Sequence, residues 1–142
     1  MFSTQEISHF TETPTPFYYY NMELLKETLN IVNNEAEKYN YHIHYALKAN
    51  SNPKILDLVQ SIGFGADCVS GNEITRAKEC NFSSEKIAFA GVGKSDEEIN
   101  IGLDNNIFCF NCESSPELEV INELASKKKK VAPIALRINP NV

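Results

Sequence analysis

Short apolar stretches alternate with amphipathic stretches along almost the whole chain. The apolar stretches are typical of strands, and the stretches between them carry apolar residues at helical spacing. Asn21, Asn52, Ser95 and Ser115 stand where helices should begin, because such side chains accept hydrogen bonds from a helix's first N–H groups. The pattern predicts, in order, extended segment 15–20, helix 21–39, strand 42–49, helix 52–61, strand 64–70, helix 71–80, strand 87–91, helix 95–104, strand 107–112, helix 115–129 and strand 133–139.

This repetition of strand and helix predicts an α/β fold with a parallel sheet, either doubly wound or closed into a (β/α)₈ TIM barrel. An open sheet with helices on both sides should be apolar on both faces. Here one face of each strand is bulky and the other is small or polar, which favours the barrel. The bulky residues expected to face the helices include Ile43, Tyr45, Leu47, Phe64, Ala66, Cys68, Phe108, Phe110, Ile134, Leu136 and Ile138. Those expected to face inward include His44, Ala46, Lys48, Gly65, Asp67, Ile107, Cys109, Asn111, Ala135, Arg137 and Asn139.

The length does not accommodate a complete barrel. Such a barrel takes ~250 residues, whereas this chain has 142 residues. We therefore expect about five of the eight parallel strands, with the C-terminal part of the barrel missing. Residues 1–20 are expected to form an N-terminal extended segment, and residues 21–142 the N-terminal portion of a truncated barrel domain.

Composition narrows the class of protein further. The chain has 13 basic and 19 acidic residues and a net charge of −6, so a nucleic-acid partner is not expected. It has no apolar run near ~18 residues and no signal-peptide pattern, which predicts a cytoplasmic protein with no membrane partner. The four cysteines are then expected to be reduced thiols, and the three histidines show no metal-binding spacing.

Lys48 is the residue with the clearest candidate chemistry, because no other lysine lies on the inward face of a predicted strand. It lies near the C-terminal end of its strand, where barrel enzymes place their catalytic groups, as do Asp67, Asn111 and Arg137. Burial lowers the pKa of a lysine and favours the free amine that condenses with a carbonyl, as a pyridoxal-phosphate enzyme requires. The alternative is a lysine that extends from a strand end into solvent.

Two other motifs suggest different chemistry. The segment 88–95 resembles the end of a phosphate-binding P-loop, but Ala88 stands where that motif needs its first glycine. Cys109 and Cys112 have the spacing of a redox or zinc pair. Residues three apart on a strand point to opposite faces, however, so we interpret both as strand cysteines.

Five segments in order along the chain resemble a known family. They are 15–18 (Thr-Pro-Phe-Tyr), 45–50 (Tyr-Ala-Leu-Lys-Ala-Asn), 65–70 (Gly-Ala-Asp-Cys-Val-Ser, followed by Glu73), 91–95 (Gly-Val-Gly-Lys-Ser) and 136–140 (Leu-Arg-Ile-Asn-Pro). Together they are similar to the N-terminal part of the diaminopimelate decarboxylases, within the alanine-racemase-like (fold type III) pyridoxal-phosphate-dependent decarboxylases. Cys68 and Asn72 stand where the family pattern has valine and glycine.

The resemblance implies roles for three residues. Lys48 would be catalytic and would hold pyridoxal 5'-phosphate as a Schiff base until the substrate amine displaces it. Asp67 would lie near that linkage, and Arg137 would anchor the carboxylate or the phenolic side of the cofactor. All three would be cofactor-binding. The alternative for Asp67 and Arg137 is an ion pair inside the barrel that does not touch the cofactor.

The resemblance also implies a reaction for the complete protein. This is the decarboxylation of meso-2,6-diaminopimelate, a small-molecule amino-acid substrate, to L-lysine by a homodimer that also has a C-terminal β-domain. Two alternatives stay open: another protein of the same fold type, such as an ornithine- or arginine-type decarboxylase or a racemase, and an inactive fragment.

Overall fold

A five-stranded parallel sheet forms the centre of the structure, a computed structural model that describes residues 2–140. The strands lie side by side in chain order, whereas in a doubly wound sheet the order reverses at a switch point. The sheet is therefore a section of a barrel wall, and the α/β class with about five barrel strands is confirmed. The strands are β1 (His44–Ala46), β2 (Gly65–Cys68), β3 (Ile87–Phe89), β4 (Cys109–Cys112) and β5 (Ile134–Leu136).

Among the described residues, two helices precede β1, and four more connect the strands and cover one face of the sheet. They are α1 (Thr4–Glu12), α2 (Met22–Glu37), α3 (Pro53–Ser61), α4 (Gly71–Glu79), α5 (Asp96–Asn105) and α6 (Ser115–Lys127), with short 3₁₀ helices at Leu47–Ala49 and Ser84–Lys86. The predicted caps Asn21 and Asn52 accept hydrogen bonds from the first turns of α2 and α3. Ser95 and Glu98 form a reciprocal capping box at α5. No helix within residues 2–140 is both long and apolar enough to cross a membrane.

The hydrophobic core lies between the sheet and the helices α3 to α6. Burial of these apolar side chains is the main favourable contribution to folding. On the sheet, the predicted helix-facing residues of β2 are buried, which confirms the alternation proposed for that strand. The core includes Leu56, Val59, Phe64, Ala66, Cys68, Ile74, Ile87, Phe89, Phe110 and Ile121.

The opposite, concave face carries small and polar side chains, as expected for the inside of a barrel. Gly65 shows how tightly this face is packed near its amino-terminal edge. A Cβ atom on Gly65 would lie 2.5 Å from the carbonyl oxygen of Lys86 and 2.7 Å from the His44 ring. Only glycine allows the imidazole to lie across β2 at this point.

The expectation of an extended segment over residues 1–20 is wrong for its first part, because α1 occupies Thr4–Glu12. Ser3 accepts a hydrogen bond from the backbone of Glu6, and the Glu6 carboxylate accepts one from the backbone of Ser3. That carboxylate also accepts a 2.6 Å hydrogen bond from the Tyr19 hydroxyl, which joins α1 to the extended segment. These bonds hold the pKa of Glu6 down at about 2, with the Tyr19 hydroxyl as the largest cause.

Two further expectations at element boundaries are also wrong. The N-cap of α6 is Ser114 rather than Ser115, and its side chain accepts from the backbone N–H of Glu117. The strand β4 begins at Cys109 rather than at residue 107, so the alternation of inward and helix-facing side chains does not include the two residues before it. Ile107 is consequently part of the core, whereas Phe108 is half exposed and makes an edge-to-face contact with His44 on the concave side.

Candidate active site

Polar side chains collect at the carboxyl edge of the sheet, where parallel strands all end. In the parallel register Asp67 lies opposite Ala46, and Lys48 follows Ala46 by two residues. Asn111 lies opposite Ala135, and Arg137 follows Ala135 by two residues. Parallel pairing therefore brings the predicted site residues to one edge of the barrel section, as the sequence pattern suggested.

Lys48 lies in the 3₁₀ helix after β1 rather than within a long strand, and its side chain is exposed rather than buried. The neighbouring Leu47 is only 1% exposed and fixes this turn to the core. Within residues 2–140, the Lys48 ammonium takes part in no hydrogen bond and no ion pair. The burial that would favour a free amine is therefore not observed, and the exposed side chain agrees with the alternative of a lysine that extends into solvent.

Asn50 fixes the chain directly after Lys48. Its side-chain amide donates to the Tyr20 hydroxyl at 3.0 Å, and its carbonyl oxygen accepts from the Tyr45 hydroxyl at 3.3 Å. The Asn50 side-chain oxygen accepts from the backbone N–H of Asn52 at 2.9 Å. These bonds join the segment before α2, the strand β1 and the start of α3 around the lysine turn.

Asp67 lies half buried on the concave side of β2. Among the residues that the structure describes, its carboxylate is in no ion pair within 4 Å. The charge of Asp67 affects the pKa of two neighbours on this face. Burial lowers the pKa of His44, and the negative charge of Asp67 partly opposes that shift. Burial is the largest cause that raises the pKa of the Cys109 thiol, and Asp67 raises it further. Asp67 is thus a negative charge open to a ligand in the barrel interior.

Arg137 follows β5 and pairs with Glu113 rather than with Asp67. Its Nη1 atom lies 3.1 Å from Oε1 of Glu113, and the two side chains are 58% and 14% exposed. Its backbone N–H donates to the carbonyl oxygen of Cys112 at 2.9 Å, which continues the β4–β5 ladder. The ion pair between Asp67 and Arg137, considered above as an alternative, is absent from the described residues.

Lys94 is held by protein groups and does not present a P-loop lysine. Its Nζ atom donates to the carbonyl oxygens of Gly91 and Asn111, both at 2.8 Å, and to Oε1 of Glu117 at 2.6 Å. A lysine ammonium has three N–H bonds, so none is left for a phosphate. The interpretation that segment 88–95 does not bind a nucleotide is supported by this geometry.

The four cysteines are free and buried. Cys109 lines the concave face, whereas Cys112 belongs to the core on the other side of the sheet, as predicted from their spacing. Burial raises the pKa of both thiols, which makes a thiolate at either site unfavourable. Across the described part of the chain, no three His, Cys, Asp or Glu residues form a cluster able to hold a metal ion.

Glu113, Lys94 and Glu117 lie at the site but were not proposed from the sequence. Glu113 directly follows β4, so the rule that led to Asp67 and Arg137 could have found it. Glu117 lies in the first turn of α6 and is joined to Lys94 across 23 residues of sequence. No local sequence pattern predicts a contact between residues so far apart in the chain.

Comparison with known proteins identifies the family of this chain. Residues 23–142 match the family model described as "Pyridoxal-dependent decarboxylase, pyridoxal binding domain". This chain belongs to the pyridoxal-dependent decarboxylases. The match includes Lys48, Asp67 and Arg137 and leaves α1 outside.

Relatives within this decarboxylase family are substantially longer than the chain. The diaminopimelate decarboxylase of Bacteroides thetaiotaomicron is 56% identical over 137 residues, which are 96% of this chain and 36% of that protein. The crystal structure of diaminopimelate decarboxylase from Helicobacter pylori complexed with L-lysine superposes with a TM-score of 0.89 at 40% identity, over 96% of this chain and 35% of that one. The crystal structure of diaminopimelate decarboxylase from M. jannaschii in complex with L-lysine superposes with a TM-score of 0.89 at 39% identity. The superposition covers 96% of this chain and 33% of that one. The chain spans about a third of the length of these relatives.

The residues at the carboxyl edge are chemically suited to the cofactor that the family model names. The exposed, unbonded amine of Lys48 can form a covalent link with an aldehyde. Asp67 and Arg137 supply one charge of each sign at the same edge. Next to Arg137, the small residues Ala90 and Ala135 line a cavity of about 340 Å³ together with Glu113; Lys48 and Asp67 do not line it. A larger cavity of about 820 Å³, which includes His44, Gly65 and Phe108, lies toward the amino-terminal side of the sheet, away from Lys48.

Proposed function

We propose that this chain is the N-terminal, cofactor-binding part of a diaminopimelate decarboxylase, which converts meso-2,6-diaminopimelate to L-lysine and carbon dioxide. The observation that carries the proposal is the position of Lys48: its exposed side chain lies on the turn that follows β1, at the carboxyl edge of the barrel section where β2 also brings Asp67. The activity belongs to the longer protein, because the chain spans about a third of its relatives.

Each residue has a separate task in this proposal. Lys48 would hold pyridoxal phosphate through a covalent bond from its amine. The carboxylate of Asp67 favours the protonated form of a nearby nitrogen, since an opposite charge stabilises the charged state. Arg137 lies where an anionic group of the substrate or of the cofactor would enter. When bound, the cofactor supplies an electron sink for the electron pair left by carbon dioxide.

The substrate is inferred from the relatives, whose printed names are diaminopimelate decarboxylases and whose structures contain L-lysine. A cytoplasmic location and a homodimeric state of the longer protein stay predictions. An ornithine- or arginine-type decarboxylase and a racemase are the competing assignments that the following experiment separates. The third alternative, an inactive fragment, is tested with the 142-residue chain on its own.

The test is an assay of carbon dioxide release by the full-length protein loaded with pyridoxal phosphate. We expect release from meso-2,6-diaminopimelate, with L-lysine formed in equal amount, and little from ornithine or arginine. The variant Lys48→Ala should lose this activity, whereas Lys54→Ala, which changes an exposed lysine at the start of α3, should keep it. Preferred decarboxylation of ornithine, or racemisation without carbon dioxide, would contradict the proposal.

A further inference from the structure

Lys94 and Glu117 form a buried ion pair next to the candidate active site. The side chains are only 1% and 12% exposed, and Nζ lies 2.6 Å from Oε1. The ammonium also contacts the ring of Phe89 at 5.2 Å from its centroid. The three acceptors of Lys94 come from three segments: Gly91 before α5, Asn111 in β4 and Glu117 in α6. One side chain thus joins the ends of two strands to the start of a helix.

The pair continues as a path of polar contacts to Arg137. The second carboxylate oxygen of Glu117, Oε2, accepts a 2.7 Å hydrogen bond from the backbone N–H of Glu113. The side chain of Glu113 then holds Nη1 of Arg137 at 3.1 Å. Lys94 therefore fixes the carboxylate of Glu117, Glu117 fixes the backbone of Glu113, and Glu113 holds the guanidinium.

A role in stability alone does not account well for this arrangement. The desolvation of two buried charges offsets most of their attraction, so such pairs contribute little net stability compared with apolar residues of the same volume. The pair instead constrains the orientation of the groups that it joins, because each hydrogen bond fixes a direction as well as a distance. Arg137 itself is 58% exposed, and among the described residues its guanidinium has a hydrogen bond to Glu113 alone.

We propose that Lys94 and Glu117 are positioning residues, which set the orientation of Arg137 at the active site through Glu113. The proposal rests on the role given to Arg137 under the proposed function. It predicts that changes at Lys94 and at Arg137 are not independent, since both act on the same guanidinium.

A double-mutant cycle on the full-length protein tests this. The affinity of the apoprotein for pyridoxal phosphate, followed by absorbance, and kcat and KM for meso-2,6-diaminopimelate would be measured for Lys94→Met, Arg137→Ala and the double variant. We expect each single variant to weaken cofactor binding or kcat by about tenfold or more, with the double variant no worse than Arg137→Ala alone. Losses that multiply in the double variant, or no loss in Lys94→Met, would overturn the proposal.

Two further variants complete the test: one repeats the measurement of coupling at a different residue, and the other is a control. Glu117→Gln keeps an oxygen for the ammonium but removes the acceptor for the Glu113 backbone, and it should repeat the same coupling even if Lys94→Met fails to fold. Lys128→Met breaks a partly exposed pair with Asp104 at 2.7 Å, away from the path, and should leave all three values unchanged. Normal cofactor binding and diaminopimelate turnover by the unaltered protein, with independent losses in the cycle, would reject this inference while leaving the proposed function intact.

Discussion

At the scale of single residues, hydrogen bonding separates two lysines that lie near the same edge of the sheet. Lys94 is buried, and all three of its N–H groups have acceptors. Lys48 is exposed and bonds to none of the described residues. A lysine that reacts with a carbonyl must first leave its hydrogen-bond acceptors, and Lys94 would lose three of them. The contacts therefore favour Lys48 as the reactive residue.

Arg137→Ala in the full-length protein should reduce turnover more than stability. The guanidinium lies at the mouth of the barrel section, outside the helix-facing core, and a charge that orients a substrate or cofactor contributes ~10²-fold or more to turnover. The measurements are kcat and the thermal midpoint. Arg76→Ala is the matched control, because Arg76 pairs with Glu79 at 2.8 Å on the outer surface of α4. Near-normal kinetics for Arg137→Ala would assign that residue a structural role.

At the scale of elements, the sequence predicted every strand and five of the six α-helices found in residues 2–140, and its errors have physical causes. Ser114 and Ser115 can both cap a helix, and only the extended backbone of Ser114, with φ −154°, selects it. The missed helix α1 buries no residue, and its one clear sequence signal is the capping-box pattern of Ser3 and Glu6, which the predicted elements left out. The strand β1 ends at Ala46 because the chain turns into a 3₁₀ helix, which apolar alternation did not indicate.

The site shows a similar division between what the sequence predicts and what it does not. Lys48, Asp67 and Arg137 follow strands, so their common edge follows from parallel pairing alone. The partner of Arg137 could not be predicted, because Asp67 and Glu113 are both carboxylates at that edge. Only the three-dimensional structure shows Glu113 as the partner and Glu117 as the group that fixes it.

Ser114→Ala should destabilise the protein, while the neighbouring change Ser115→Ala should not. Removal of an N-cap side chain leaves a backbone N–H of the first turn without its acceptor and costs about 1 kcal/mol. The free energy of unfolding, measured by urea denaturation, distinguishes the two variants. If Ser115→Ala proves the more destabilising, the assigned start of α6 is incorrect.

At the scale of the whole molecule, the sheet section leaves two edges and one apolar surface uncovered. Within residues 2–140, β1 and β5 each pair on one side only. Ile134, Leu136 and Ile138 are 43%, 61% and 79% exposed. Open strand edges are templates for pairing with other chains, and exposed apolar side chains add to that tendency.

The 142-residue chain on its own should therefore associate or pack loosely, and it should bind pyridoxal phosphate weakly. Size-exclusion chromatography and absorbance of the added cofactor measure these properties. The double variant Leu136→Lys/Ile138→Lys should shift the chain toward smaller species, because it places charge on the uncovered surface. A sharp monomer peak with stoichiometric cofactor and measurable decarboxylation would contradict this view of the barrel section.

The central claim, that Lys48 carries the cofactor, is tested most directly by chemical trapping. The full-length protein, loaded with pyridoxal phosphate, would be reduced with borohydride, digested and mapped by mass spectrometry. We predict a pyridoxyl group on Lys48 and none on Lys94, whose N–H groups are all engaged. A pyridoxyl group on Lys54, Lys78 or Lys94 in place of Lys48 would contradict the account.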